Sequence, residues 1–287
     1  MNRARITTLV STALATIPAA TQQSSSTVEL TFASASLEPA LPNAGRSIRL
    51  QPGGVFEAKA VTLRELIQYA YQRYGFDRRE VVGGPAWIDS LRLDVLASAA
   101  EEHWIEPDGA PRKTWAMLRS LLEKRFQLRI DEASRTRPVY VLMVADRAGR
   151  LGASMRRTTV DCGALMRGDT PPPARSEGVP CGTKTPPGRL FANTVTMQTL
   201  ASMLSSHLDR PVIDSTGLDG RFDIQLESAD IKAAPDYRPG PSDAGLPPTA
   251  RIPITDAVRE QLGLNLEPGI GAVSVLVVRH AERPTLR

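Results

Sequence analysis

Three histidines, two cysteines and two similarly placed carboxylates are the residues from which chemistry could be built. His103, His207 and His280 fall in a loop, on a helix and at a strand end of the pattern read below. No HExxH, no H-x-H and no histidine beside a cysteine occurs, so they offer no zinc set. There is no G-x-S-x-G elbow to supply a nucleophile and no Walker or G-x-G-x-x-G loop to cradle phosphate. Asp94 and Asp223 each follow an arginine by two residues, in Arg92-Leu93-Asp94-Val95 and Arg221-Phe222-Asp223-Ile224. Residues two apart on a strand share a face, so two local Arg–Asp bridges are expected. Two carboxylates in one catalytic pocket is the rival reading.

Cys162 and Cys181 are half a zinc site at most. In an oxidising compartment they are expected to pair as a disulfide, and closing a loop of about 20 residues stabilises by about 3 kcal/mol on the chain-entropy argument. Two turns carry conspicuous residues. Gly83-Gly84-Pro85-Ala86-Trp87 is read as a tight turn whose Trp87 caps a core. Asp214, Gly217, Asp219 and Gly220 are read as a turn, since they lack the alternating ligands and final Glu of a calcium loop. No cofactor and no metal is expected.

The elements that would position these residues repeat. Val61-Thr62-Leu63-Arg64-Glu65-Leu66 returns as Val195-Thr196-Met197-Gln198-Thr199-Leu200, and Val139–Val144 returns as Val273–Val278, both 134 positions on (195 − 61; 273 − 139). Thr62 with Glu65 reads as a capping box before a helix bearing Leu63, Leu66, Ile67 and Ala70. Thr196 starts its counterpart. Trp115, Leu118, Leu121 and Leu122 mark a second helix, and Ile254, Val258 and Leu262 its partner. The fold class expected is α+β: two related units, each a small mixed β-sheet with two helices on one face.

The boundaries follow from composition. Residues 1–20 read as a signal peptide, with Arg3 and Arg5 before a modestly apolar stretch and Pro18-Ala19-Ala20 at its end. Residues 28–147 form the first unit with its N-terminal strand. Residues 148–187 are a Pro/Gly-rich linker holding both cysteines, and 188–287 form the second unit, with a mobile insertion at 233–249. No other stretch approaches the ~20 apolar residues of a spanning helix, so the mature chain is not expected to span a membrane. Removing two arginines takes the formal charge from +4 to +2 (4 − 2). The basic residues Arg112, Lys113, Arg119, Lys124, Arg125, Arg129, Arg135 and Arg137 are interleaved with Glu123, Asp131 and Glu132, without aromatic spacing. That is a solvated face, and no nucleic-acid partner is expected.

Several stretches carry a family resemblance. They are Val61–Tyr71, Gly83–Ser90, Met117-Leu118 through Arg125-Phe126-Gln127-Leu128, Arg137–Tyr140, Arg210–Asp214, Thr216–Asp223, and Glu260–Leu264 with Leu266-Glu267-Pro268. In this order they resemble a soil-associated bacterial family that overlaps a domain of unknown function, DUF3738. The resemblance implies an exported protein and carries over no catalytic residue. A histidine that commonly follows the strand after the second helix in that family is replaced here by Ile130-Asp131. The element pattern is also similar to the short N-terminal domain of secretins and TonB-dependent receptors. The expectation is an exported, periplasmic or secreted, non-catalytic binding module, whose partner is an envelope protein or a small ligand. The alternatives are an envelope hydrolase with a pocket between the units, using Asp94, Asp223 or His207, and a small-ligand sensor domain.

Overall fold

The computed structural model describes residues 30–51, 53–72, 79–100, 106, 110–146, 148–171, 181–233 and 252–284. In chain order, the first half holds β1 (Ser34–Pro39), β2 (Ser47–Gln51), β3 (Val55–Thr62), α1 (Leu63–Ala70), β4 (Val81–Gly83), α2 (Trp87–Ser90), β5 (Arg92–Ser98), α3 (Arg112–Phe126) and β6 (Arg129–Val144). The second half holds β7 (Met155–Thr158), α4 (Cys162–Arg167), β8 (Gly182–Lys184), β9 (Arg189–Val195), α5 (Met197–Ser205), β10 (Val212–Asp214), β11 (Arg221–Glu227), α6 (Ile254–Leu262) and β12 (Leu264–His280).

The chain is α+β. A four-stranded antiparallel sheet in the first half runs β1-β5-β3-β2, and one in the second runs β7-β11-β9-β8. The second order is the first with every strand six places later. Among the described residues, parallel pairing is confined to a third sheet drawn from both halves, β10-β6-β12-β4.

Local chemistry starts and stops the elements alike in both halves. Thr62 Oγ1 accepts the Glu65 N–H at 3.3 Å, and Glu65 Oε2 accepts the Thr62 N–H at 2.9 Å, a complete capping box. Thr196 Oγ1 accepts the Thr199 N–H at 3.2 Å at the start of α5. Two residues before the helix N-caps Thr62 and Thr196, Ala60 (φ 49°) and Thr194 (φ 62°) take a left-handed step. Each step lies in a break in strand register, between Ala58 and Val61 on β3 and opposite Phe222/Ile224 on β11. The helices α3 and α6 end on left-handed caps, Gln127 (φ 47°) and Gly263 (φ 70°), 136 positions apart (263 − 127). The long strands that follow are therefore displaced by two residues from the 134-residue sequence match. A shift of two keeps every side chain on its face, which is why the pattern reads equally well in either register.

The two long strands decide the packing. β6 and β12 pair antiparallel from Leu264↔Val144 to Val278↔Ile130. One core gathers Phe56, Leu66, Leu93, Leu118 and Phe126 of the first half, and Leu276 and Val278 from the end of β12 complete it. The other gathers Leu190, Leu200, Phe222, Ile224 and Val258 of the second half, and Leu142 from the end of β6 completes it. Each core is thus finished by the other half's strand.

One expectation changes. Residues 148–187, read as a linker, contain two edge strands of the second sheet, β7 and β8, and helix α4. These strands are only four and three residues long, too short to show an alternating pattern among the prolines and glycines. Strand β6 opens at Arg129 and carries Pro138 within its continuous run. Residues 1–20 and the insertion from 234 onward lie outside the described residues.

Leu276 is fully buried in the first half's core. Leu276→Ala is expected to cost about 2–5 kcal/mol in denaturant titration. Hydrogen exchange should show the loss in β3 and β5, which lie 178 to 221 residues earlier in the chain (276 − 98; 276 − 55). A second prediction concerns acid. Burial raises the Glu65 carboxyl, but the Thr62 amide and the Arg46 guanidinium outweigh it and hold the group below 4.5. A carboxyl depressed by folding stabilises above its unfolded pKa, and that stabilisation is lost as pH falls through the folded value. Stability should therefore drop below pH 4.5, with a shallower drop in Glu65→Gln, as read by thermal melts across pH.

Candidate functional site

Backbone hydrogen bonding offers the site. β4 lies only against Leu276–Val278 of β12, and β10 only against Tyr140–Leu142 of β6. Among the described residues, the remainder of each long strand has a single strand neighbour. Parity says which groups are left outward. The Tyr140 N–H donates to Pro211 O at 2.8 Å, the Ser215 N–H to Leu142 O at 2.9 Å, and the Leu276 N–H to Glu80 O at 2.8 Å. Even-numbered residues of both strands therefore turn their backbone groups away from the β6–β12 ladder. Ser134 and Thr136 do so in the middle of β6, and Ile270 and Ala272 in the middle of β12. Ile270 is 78% exposed, the most exposed large apolar side chain of the described residues.

Pro138 and Pro268 occupy the same outward parity. Their missing N–H groups cost the ladder nothing, and they bound the stretch along which another strand could pair. The outer edges of the short strands are closed by side chains instead. Arg64 of α1 donates to Val81 O and to Gly83 O, while its guanidinium also pairs with Asp89 of α2. On β10 the Val212 N–H donates to Ser205 Oγ at 2.8 Å. Such caps stop a sheet from growing at its rim.

The residues singled out from sequence are dispersed. Asp94 Oδ1 accepts the Ala60 N–H at 2.7 Å, and Arg92 Nη1 donates to Ala60 O at 2.9 Å. Asp223 Oδ1 accepts the Thr194 N–H at 3.0 Å, while its other oxygen pairs with Arg156 of β7 at 3.2 Å. The local Arg–Asp bridges expected are thus replaced. A left-handed step leaves its amide without a ladder partner, and the neighbouring strand's carboxylate takes it. Both aspartates hold backbone turns at helix entrances.

His207 follows α5. Burial first, then the Lys232 charge, hold its imidazole below 6.5, so it is neutral at neutral pH. His280 Nε2 meets Glu282 Oε1 at 3.0 Å on the surface. His103 lies outside the described residues. The Cys162 and Cys181 sulfurs are bonded, with Cα atoms 5.8 Å apart. Asp214 Oδ1 accepts the Thr216 N–H at 3.0 Å and its hydroxyl at 2.8 Å, so this carboxylate is spent on its own turn. Trp87 stacks on Phe126 with ring centroids 6.3 Å apart, at the margin of the first core. No group of three His, Cys, Asp or Glu that could hold a metal occurs among the described residues. No helix among them is long and apolar enough to cross a membrane.

Sequence reasoning did not mark the open strand middles. The signal was there: Pro138 and Pro268 each sit within an otherwise strand-like run, which places the run at an edge.

A family model described as "Protein of unknown function (DUF3738)" matches residues 64–281, and the chain belongs to that family. No curated protein and no solved structure matches it.

The aspartate roles predict opposite effects at one turn. Asp94→Ala strands the part-buried Ala60 N–H and should cost about 1–3 kcal/mol. Ala60→Gly relieves a left-handed alanine and should be neutral or stabilising by up to about 1 kcal/mol. Urea titrations of the two variants decide; equal stability of Asp94→Ala and the parent would remove the structural role.

Proposed function

We propose that this DUF3738 protein is an exported, non-catalytic binding module in which one α+β unit is used twice, the first within 28–147 and the second running from β7 through β12. A partner docks as an added strand along the middle of β6 or β12. The observation that carries this reading is the pair of open strand middles, each with outward backbone donors and acceptors and with the exposed Ile270 on one of them. Strand addition draws affinity from main-chain hydrogen bonds and specificity from alternate side chains.

The residues named for a hydrolase support it poorly. Asp94 and Asp223 are engaged with backbone amides at the entrances of α1 and α5, while His207 stands beyond the other end of α5. The pattern of Arg3, Arg5 and the apolar stretch that follows supports export.

A photo-reactive residue at position 270 of the full-length protein, in its native envelope, should give a discrete adduct. Ala272→Pro removes one outward N–H and leaves the β6–β12 ladder intact, as Pro268 already does. It should abolish the adduct while shifting the melting temperature little. An adduct unchanged by Ala272→Pro, or none at all, sinks strand docking at this edge. Export is checked separately by N-terminal sequencing of the fractionated protein; an uncleaved chain in the cytosol would overturn it.

A further inference from the structure

The two antiparallel sheets solve one problem by different means. In each, the chain must pass from one edge strand to the opposite edge, across about 14 Å at three strand spacings. In the first sheet the passage from β1 to β2 takes seven residues, Ala40–Arg46 (46 − 39). It is fastened by Ala40 N–H to Arg92 O at 3.0 Å and by Arg46 to Glu65 at 2.5 Å. In the second sheet the passage from β7 to β8 takes 23 residues (181 − 158). Both passages lie at corresponding ends, where Thr158 faces Arg221 and Gly182 faces Asn193, as Pro39 faces Leu93 and Ser47 faces Lys59.

The Cys162–Cys181 bond shortens that passage. Through the sulfurs, only residues 159–162 and 181 separate β7 from β8, five against seven. Cys181 directly precedes β8, so the bond anchors the start of that strand. β8 needs an anchor more than β2 does: it pairs with β9 over three residues, whereas β2 pairs with β3 over five.

We infer that the Cys162–Cys181 bridge is a reducible latch: it closes the passage between the edge strands of the second sheet, and its reduction releases β8 and uncovers the outer edge of β9. The latch stands apart from the docking proposed on β6 and β12. A dithiol supplies the two electrons and two protons. One of its thiolates attacks Cys181, which is less buried than Cys162, and the S–S bond breaks with Cys162 leaving as a thiolate that takes up a proton. The second thiol displaces Cys181, and the reductant departs as a cyclic disulfide. The covalent passage then runs through all 23 residues, α4 among them, and a flexible chain of that length would close about tenfold less favourably than one of five.

Hydrogen exchange by mass spectrometry on the full-length protein tests this. Between the oxidised and the dithiol-treated states, exchange over residues 182–195 should accelerate about tenfold or more, with residues 34–62 unchanged. Unchanged protection at 182–195 overturns the latch. So does faster exchange in both sheets, or failure of Cys162→Ser/Cys181→Ser to fold, since either makes the bridge a global staple. A second variant replaces residues 159–181 with the seven-residue sequence of 40–46. It should keep β8 protected and be indifferent to dithiol; a variant that does not fold, or folds with β8 unprotected, refutes the equivalence of the two passages.

Discussion

The continuous antiparallel pairing of β6 with β12 is the constraint on which the rest of the molecule depends. A strand of 16 residues extends for about 50 Å, more than the width of one small core. Neither long strand can therefore be consumed by its own half. Ile130 packs at the margin of the first core and Leu142 lies in the second, on the same strand; β12 does the reverse with Leu264 and Leu276. Removing either strand would strip apolar side chains from both cores and leave a row of backbone groups unpaired. The two halves are bound through shared burial rather than through a surface contact.

Much of this was legible in the residues, for reasons that are local. Thr62 with Glu65 declares a helix start, and the structure places α1 at Leu63. The spacing of Trp115, Leu118 and Leu122 declares a buried helical face, and all three are buried on α3. What the sequence hides is non-local. That Leu142 belongs to the far core follows from the pairing of β6, and no window of sequence around it carries that fact. β7 and β8 were concealed for another reason: strands so short have no period to read. Arg92 and Asp94 show a third limit. Sharing a strand face made them plausible partners, but the left-handed residue Ala60 on the neighbouring strand claimed both.

That last arrangement explains why the chain carries charged residues resembling catalytic ones. A strand that must turn into a helix within two residues needs an irregular step, and the step exposes an amide that neither the ladder nor the helix can satisfy. A carboxylate on the adjacent strand accepts it, and an ionised acceptor makes a stronger bond than a neutral one. Asp94 and Asp223 perform this service at Ala60 and Thr194. Their placement in matching positions follows from the matching turns, with no need for a shared pocket.

Edge control follows from the same geometry. Even-numbered residues of β6 and β12 direct backbone groups outward, so every device that closes or bounds an edge must act at those positions or on the short strands beside them. Arg64 closes β4, Ser205 closes β10, and Pro138 and Pro268 silence single outward positions. Ser134 and Thr136 lie before Pro138 on β6, and Ile270 and Ala272 lie between Pro268 and the β4-covered end of β12. An open strand edge is an aggregation hazard that proteins suppress where it serves nothing. Among the described residues, suppression is applied on both sides of the β12 window and on the Pro138 side of the β6 window, and a large apolar side chain, Ile270, is left exposed in the former. A short window admits fewer registers for an incoming strand than a long edge does, so Pro268, which shortens the open run of β12, would also restrict the register of the docking proposed above.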